Sequence, residues 1–289
     1  MRRLAFLLAV AAGAPAARAQ APGPQPPTPT DYVYARSLAL SAYRGLAAGN
    51  DGIFYNPAAL AARNHFEIDV QGLVAQDGSD TTASIFSGSV VDSTAGPVTG
   101  GFAYSYVKTL GYAPRGFFGG GTNLALATPL GKTFFIGATL NYLDLTSSAR
   151  NVNAVNLTTG LFWQVAKVVS LGAVGYNLIN TYHPDLTPIA FGTGAAVGPD
   201  DTFHLTADFY REWGTAVRNV WSAGGEAFLF SVAAIRAGWT FDPGRSTQWW
   251  SAGLGFSVSG FGMDFAYRQA FGGTAFRVMS AGFKVNVNP

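Results

Sequence analysis

The sequence predicts an all-β protein: a transmembrane antiparallel β-barrel of about 14 strands with a small N-terminal helical hatch, or plug. Three observations predict this fold. After residue 64, hydrophobic residues alternate with small or polar ones, in segments of roughly the 10 residues that a tilted strand needs to cross a bilayer. Aromatic residues reach 14% of the chain while charged residues make up only 12%. No apolar run approaches the length of a membrane-spanning helix.

Charge and cysteine content exclude several classes of function. Arg2, Arg3 and Arg18 lie in a predicted export signal, and the rest of the chain has 15 Lys and Arg against 16 Asp and Glu, so we expect no nucleic-acid partner. The absence of Cys excludes structural disulfides, Cys-ligated zinc and thiol nucleophiles. His65, His183 and His204 are too scattered to suggest a metal site. We therefore expect neither a metal nor a cofactor.

The N-terminal 30 residues contain two predicted segments. Residues 1–19 have the parts of an export signal: basic residues, the apolar stretch Leu4–Val10, and Ala17-Arg18-Ala19, after which we expect cleavage. Residues 20–30 form a Pro-rich linker, because Pro removes backbone donors and favours extended chain.

Residues 31–63 form the predicted hatch. Ala35–Ala47 is rich in Ala and Leu and has helical potential, and Asn56-Pro57 opens a second short helix, Ala58–Ala62. Between them lies a predicted turn cluster of Gly45, Gly49, Asn50, Asp51 and Gly52. The segment is too small to bury a core of its own, so we expect it to pack against the barrel.

Residues 64–289 form the predicted barrel. Phe66, Ile68 and Val70 alternate with polar residues, and the same period continues in later segments. The other clear segments are Phe102–Tyr106, Phe134–Tyr142, Val155–Val165, Phe203–Tyr210, Trp221–Leu229, Ala233–Phe241, Phe261–Tyr267 and Phe283–Val287. Weaker stretches lie near Thr82, Leu124, Val169, Ile189 and Trp250. Together they give about 14 strands, an even number as a closed single-chain barrel requires.

Turn lengths and aromatic residues support a membrane barrel over its alternative, a soluble β-sandwich. The predicted periplasmic turns, such as 129–132 and 259–260, are compact. Longer loops are predicted on the opposite side at Thr109–Gly116, Ile179–Leu186 and Arg211–Arg218. Aromatic residues near strand ends predict girdles at the lipid headgroups: Tyr142, Trp163, Trp221, Trp239 and Trp249.

Polar residues of both signs fall on the predicted inner face. They are Glu67, Asp69, His204, Asp208, Glu226, Arg236, Asp264 and Arg268. Two interpretations remain open for them, since a lumen needs polar groups to satisfy a plug, and a ligand headgroup needs polar partners. Small residues leave room for a path: Gly100, Ala103, Ser105, Gly253 and Gly255. No nucleophile stands beside a base, so we expect no catalytic residue and no enzyme.

The segment Ala39–Leu60, with Asp51 followed by Asn56-Pro57-Ala58, resembles the N-terminal hatch of FadL-type long-chain fatty acid transporters and of PorV/PorQ-type barrels. The C-terminal third is also similar to that superfamily, at Arg236-Ala237-Gly238-Trp239 and Asp264-Phe265-Ala266-Tyr267. The resemblance implies that Asp51, Asn56, Pro57 and Ala58 belong to a plug whose movement opens a passage. From its residue type, Asn56 is also suited to cap the short helix that Pro57 begins.

The resemblance implies a bacterial outer-membrane protein, a monomer surrounded by outer-membrane lipids. The leading hypothesis is a hatch-gated channel for passive uptake of small hydrophobic compounds, fatty-acid-like or aromatic. The predicted outer loops are shorter than those of fatty-acid transporters, which keeps a second hypothesis open: a PorV-like adaptor for a secretion-system partner. A structural barrel without transport is the third.

Overall fold

Fourteen antiparallel strands close into one barrel in the part of the chain that the structure describes. The computed structural model describes residues 34–46, 49–77, 80–109, 116–148, 151–179, 187–214, 217–230, 232–271 and 276–287. The predicted signal and linker, residues 1–19 and 20–30, and His183 lie outside the described residues. The predicted strand number and barrel class are confirmed, and the sandwich alternative is wrong.

Each strand pairs with its neighbours in sequence, and β1 pairs with β14 to close the barrel, with Phe66 opposite Val287. The strands are β1 Phe66–Asp77, β2 Asp80–Asp92, β3 Thr99–Thr109, β4 Phe117–Pro129, β5 Phe134–Ser147, β6 Asn151–Ala166, β7 Val169–Tyr176, β8 Ile189–Val197, β9 Phe203–Trp213, β10 Val217–Leu229, β11 Ala233–Asp242, β12 Thr247–Val258, β13 Phe261–Phe271 and β14 Phe276–Val287. A 3₁₀ turn, Pro243–Arg245, joins β11 to β12.

Side chains alternate between a buried inner face and an apolar outer face along these strands. On β9, Leu205 is 60% exposed while its neighbours His204 and Thr206 are buried. Exposed Leu, Phe, Tyr and Trp residues cover the outer face of most strands. A soluble protein does not expose so large an apolar surface, so this face requires a nonpolar environment.

The two ends of the barrel differ in their connections. The end where β1 begins and β14 ends, called the terminal end here, has short turns such as the one between β12 and β13. At the opposite, far end, the predicted loop Arg211–Arg218 is wrong, because β9 continues to Trp213 and β10 starts at Val217. Glu212 and Arg218 lie opposite each other and form an ion pair of 3.3 Å, which extends the hairpin.

The hatch lies inside the barrel. Helix α1 (Ala35–Leu40) packs on β10–β14, helix α2 (Gly52–Tyr55) touches β3 and β4, and a 3₁₀ helix (Pro57–Ala62) packs on β3–β6. Within the described residues, no helix is long and apolar enough to span a membrane.

One prediction about the hatch is wrong and another is confirmed. The helix predicted over Ala35–Ala47 ends at Leu40, where Ser41 adopts a left-handed conformation with φ of 59°. The predicted turn cluster is confirmed, because Gly45 and residues 49–51 form turns, and it leads into the short helix α2, which begins at Gly52. The early end of α1 arises from contacts with the barrel wall, which supply hydrogen-bond partners that a local pattern does not contain.

Most of the predicted girdle residues face outward. Trp163, Trp221, Trp239 and Tyr142 are exposed on the outer face. Trp249 is an exception, since it lies on the inner face of β12, with the Arg268 guanidinium 4.9 Å from its ring centroid. A cation near the ring face explains this placement, because the ring electrons attract it.

Candidate functional site

Three glycines on the inner face, Gly137, Gly172 and Gly224, form the surface on which the hatch backbone packs. This surface is called the glycine seat here. A Cβ built on Gly224 would lie 1.9 Å from the Leu40 carbonyl oxygen, and one on Gly172 would lie 1.9 Å from the Arg44 carbonyl oxygen. A Cβ on Gly137 would meet Pro57 at 2.5 Å. No real Cβ tolerates such contacts, so the hatch packs where the wall has no side chains.

The hatch therefore fills space that small residues were predicted to leave open. A Cβ built on Gly253 would lie 2.5 Å from the Ala39 Cβ, and one on Gly255 would lie 2.6 Å from Arg236 and Asp264 atoms. Gly100 belongs to the outward-facing set of β3, with nothing within 4 Å of its Cβ position. In this closed arrangement, Gly253 and Gly255 do not leave a free path.

Asp208 holds the centre of the hatch. Its carboxylate accepts hydrogen bonds from the backbone N–H of Tyr43 at 2.7 Å and of Arg44 at 3.0 Å, and forms an ion pair with the Arg44 guanidinium at 3.1 Å. These backbone donors are the ones that a longer α1 would have used. Both charged side chains are buried, so losing either partner would leave the other uncompensated, at a cost of about 3–5 kcal/mol.

Three tyrosine rings surround Arg44. The guanidinium lies 4.8 Å from the Tyr210 ring centroid, 5.4 Å from that of Tyr176 and 5.9 Å from that of Tyr55. Arg44 Nε donates to the Tyr176 hydroxyl at 2.8 Å, and that hydroxyl donates to the Tyr55 carbonyl oxygen at 2.6 Å. The wall thus recognises this hatch cation by charge, by hydrogen bonds and by ring faces.

Asn56 connects three parts of the molecule. Its side-chain oxygen accepts from Ala58 N at 3.2 Å, so it caps the 3₁₀ helix that begins at Pro57. Its Nδ2 donates to the Arg44 carbonyl oxygen and to the Leu161 carbonyl oxygen, both at 3.0 Å. The asparagine is therefore both a cap and a direct contact between the hatch and β6.

A network of buried ion pairs lies near the terminal end. Glu226 binds Arg36 of the hatch, Arg236 at 2.9 Å and His204 Nδ1 at 2.9 Å. Asp264 continues the network, since it pairs with Arg236 at 2.6 Å and with Lys284 at 2.9 Å. Charges of both signs alternate, so each buried charge has a partner.

Beside this network lies a polar cavity of about 660 Å³. Hatch and wall both line it, and its lining includes Arg36, Glu67, His204, Arg236, Asp264 and Lys284. The cavity borders the hatch on the terminal side. The mixture of hatch and wall charges makes it a space that water and ions can enter.

All eight predicted lumen residues lie on the inner face. Seven are buried, and Arg268 is half-buried near the far end. Asp208 and Glu226 bind the hatch directly, and Glu67 accepts from Asn50 N at 3.0 Å. Asp69 accepts from Gln71, which itself accepts from the backbone of α1 at Ala35. Their observed contacts are with the hatch, with one another and with further wall residues such as Lys284.

The β1–β6 side of the far half of the lumen contrasts with this polar region. Inner-face residues of β1–β6 form one buried apolar cluster there, called the far cluster here. It consists of Leu73, Ile85, Val107, Phe117, Leu143, Leu145, Val152 and Ala154. The hatch thus lies between this apolar cluster on the β1–β6 side of the far end and the charged network near the terminal end, while the Glu212–Arg218 pair occupies the β9–β10 side of the far end.

Several residues that hold the hatch were not predicted from the sequence. Arg44 of the hatch and the wall residues Tyr176 and Tyr210, whose rings lie beside its guanidinium, are outside the predicted site residues. The signal that could have found Arg44 is a lone cation in an Ala- and Gly-rich segment that was expected to be buried in a barrel. The sequence shows the glycines of the seat only as small residues. Their contacts with the hatch could not be predicted, because these depend on which hatch atom lies next to each glycine.

Asp51 is a buried carboxyl group in the hatch. It is 6% exposed, and its Oδ2 has no hydrogen-bond partner among the described residues. Burial raises its pKa to about 7, although the positive charges of Arg36 and Lys284 lower it, and the negative charge of Glu67 adds to the increase. The protonated form therefore predominates below neutral pH.

The raised pKa of Asp51 predicts that hatch docking weakens as pH rises. An undocked Asp51 would titrate near its ordinary pKa of 3.8, so the docked form binds a proton more tightly. Docking is favoured at low pH, weakens as pH rises toward about 7, and then levels off. Asp51→Asn removes this titration. At pH 8 we expect amide hydrogen exchange in α2 to be at least about tenfold slower in the variant, since one pKa unit is worth about 1.4 kcal/mol.

The measurement is the ratio of the exchange rate of the unmodified protein to that of the variant, taken at pH 4 and again at pH 8. Because both proteins are measured at the same pH, the intrinsic pH dependence of exchange cancels in this ratio. At pH 4 the ratio should approach one. A ratio that is the same at both pH values would show that the Asp51 proton is not linked to docking.

No group of three or more His, Asp or Glu residues is arranged to hold a metal ion within the described ranges. His204 binds two carboxylates, Glu226 at 2.9 Å and Asp200 at 3.0 Å, with one ring nitrogen each. Both ring nitrogens of His204 therefore have partners in the polar network.

Comparison with known proteins gives a result at the level of structure. No family model matches the chain, and no curated protein matches its sequence. The structure is similar to that of the CymD monoaromatic hydrocarbon channel, with a TM-score of 0.69, 11% identity, and coverage of 89% of this chain and 97% of that one.

Two further solved structures are similar. The Ralstonia pickettii toluene transporter TbuX gives a TM-score of 0.65 at 12% identity, over 89% of this chain and 98% of that one. A Pseudomonas aeruginosa FadL homologue gives 0.64 at 12% identity, over 91% of this chain and 99% of that one. The first two of these neighbours are described as a channel and a transporter. The chain has the fold of FadL-type hydrocarbon transporters: a closed barrel of fourteen strands, here with its N-terminal segment seated in the lumen.

Proposed function

We propose that the protein is a bacterial outer-membrane channel for passive uptake of small hydrophobic compounds, gated by its hatch. The observation that carries this proposal is the position of the hatch, which lies inside the barrel between the apolar far cluster and the polar cavity. The apolar outer face suits a bilayer. The structural neighbours named as a monoaromatic hydrocarbon channel and a toluene transporter favour aromatic over fatty-acid substrates.

In this proposal the gate consists of Asp51, Asn56, Pro57 and Ala58. The side chain of Asn56 ties this segment to β6, and Pro57 rests on Gly137 of β5. Hydrogen bonds and close packing, with no covalent link to these strands, hold the segment in place, so it is able to leave and return. Movement of the segment would join the two halves of the lumen.

The test is uptake of labelled toluene and of a labelled long-chain fatty acid by cells that lack other transporters of this type. We expect expression to raise toluene uptake several-fold over vector-only cells, because the far cluster offers an apolar entry. Fatty-acid uptake should rise less. No gain with either compound, in cells whose outer membrane contains the folded barrel, would contradict the proposal. Stoichiometric co-purification of a secretion partner in that case would support the adaptor hypothesis.

A further inference from the structure

Three asparagines form a row across neighbouring strands on the inner face. Asn123 of β4 lies directly opposite Asn141 of β5, and Asn141 lies directly opposite Asn156 of β6. The Asn141 Nδ2 donates to the Asn123 Oδ1 at 2.7 Å, which links two of the three amides. We call these three residues the asparagine row.

Several amide atoms of the row have no hydrogen-bond partner among the described residues. Asn156 is 0% exposed, yet neither its Oδ1 nor its Nδ2 has a hydrogen-bond partner among the described residues. The Asn141 Oδ1 also has no partner there. Burying such groups without partners is unfavourable, so their presence at this position calls for a partner that arrives from outside the row.

The row lies at the boundary between the hatch and the far cluster. On β5, the inner-face neighbour on one side is Thr139, whose hydroxyl donates to the Ile53 carbonyl oxygen of the hatch at 2.9 Å. The inner-face neighbour on the other side is Leu143 of the far cluster. Each is one pleat, or about 7 Å, from Asn141. A compound passing from the far cluster past the hatch would meet the row between them.

We propose that the asparagine row binds the polar group of a hydrophobic compound that carries one hydroxyl or carbonyl group, and so selects such compounds over pure hydrocarbons. An amide both donates and accepts hydrogen bonds, so it suits a hydroxyl group, while the far cluster accommodates the apolar part. The closed hatch leaves Asn156 inaccessible, so the site forms when the hatch moves. This inference rests on the proposed channel function.

The test compares two compounds with one carbon skeleton, 4-butylphenol and butylbenzene, as labelled substrates in cells expressing the full chain. The ratio of the initial uptake rates of the two compounds, measured at low concentration, shows which compound the protein selects. In Asn156→Leu we expect uptake of 4-butylphenol to fall about tenfold, as the loss of one hydrogen-bonded contact implies. Uptake of butylbenzene should change less than twofold.

Asn153→Leu is the matched control, because Asn153 is exposed on the outer face of the same strand. Asn141→Leu is a second variant with the same expected selective loss, in case Asn156→Leu does not insert. Equal losses for both compounds, or no loss for either, would overturn the inference while leaving channel function intact. Failure of the unmodified protein to transport either compound would instead overturn the proposed function, and the inference with it.

Discussion

Gly224→Ala is expected to release the hatch from its seat. The added Cβ would lie 1.9 Å from the Leu40 carbonyl oxygen, and a backbone atom cannot rotate away as a side chain can. Overpacking of a tight interior costs about 1–3 kcal/mol or more. That cost corresponds to roughly a 5–150-fold shift toward the undocked hatch. Gly172→Ala, which meets the Arg44 carbonyl oxygen at the same 1.9 Å, should act in the same way from β7, three strands away from β10.

Gly225→Ala is the control for this prediction. Gly225 is the adjacent residue on the other face of β10, and its added Cβ would meet the end of the Leu205 side chain at 3.2 Å, which can adjust. We expect faster hydrogen exchange of the hatch and higher toluene uptake in Gly224→Ala, with both unchanged in Gly225→Ala. If the two variants behaved alike, the hatch would not depend on the glycine seat.

The barrel could be predicted from the sequence because its determinants are local. Alternation of apolar and polar residues over β1 and β9 places each side chain on one face, and the count of such segments gives the strand number. The same alternation correctly places Asp208 and Glu226 on the inner face. The prediction of where strands end was weaker, as the Glu212–Arg218 pair shows.

The hatch was harder to predict, because its shape depends on contacts between residues far apart in sequence. Asp208 replaces the helical partners of the Tyr43 and Arg44 N–H groups, so α1 ends earlier than its composition suggests. Glycines 172 and 224 have no side chain to reveal their role. The asparagine row could not be predicted either, because its members are far apart in sequence and only the strand register brings them together.

The central claim, that the hatch must leave its seat for transport, is tested most directly by locking it with a disulfide. Ser41 at the end of α1 and Ser251 of β12 have their Oγ atoms 2.9 Å apart, and the chain has no Cys of its own. Ser41→Cys combined with Ser251→Cys therefore allows one disulfide, provided that the two Cβ atoms settle at about 3.5–4.5 Å. Asn50→Cys with Ser89→Cys is a second pair, nearer the gate, whose side chains now hydrogen bond at 2.8 Å. Because the Asn50 amide nitrogen reaches one bond further than a Cys sulfur, this disulfide requires the two Cβ atoms to approach to about 3.5–4.5 Å.

The measurement is toluene uptake by cells carrying each locked protein, before and after reduction, with the single-cysteine variants as controls. We predict that uptake by fully cross-linked protein falls to the level of vector-only cells and returns on reduction. Uptake at the unmodified rate by both fully cross-linked proteins would contradict the account.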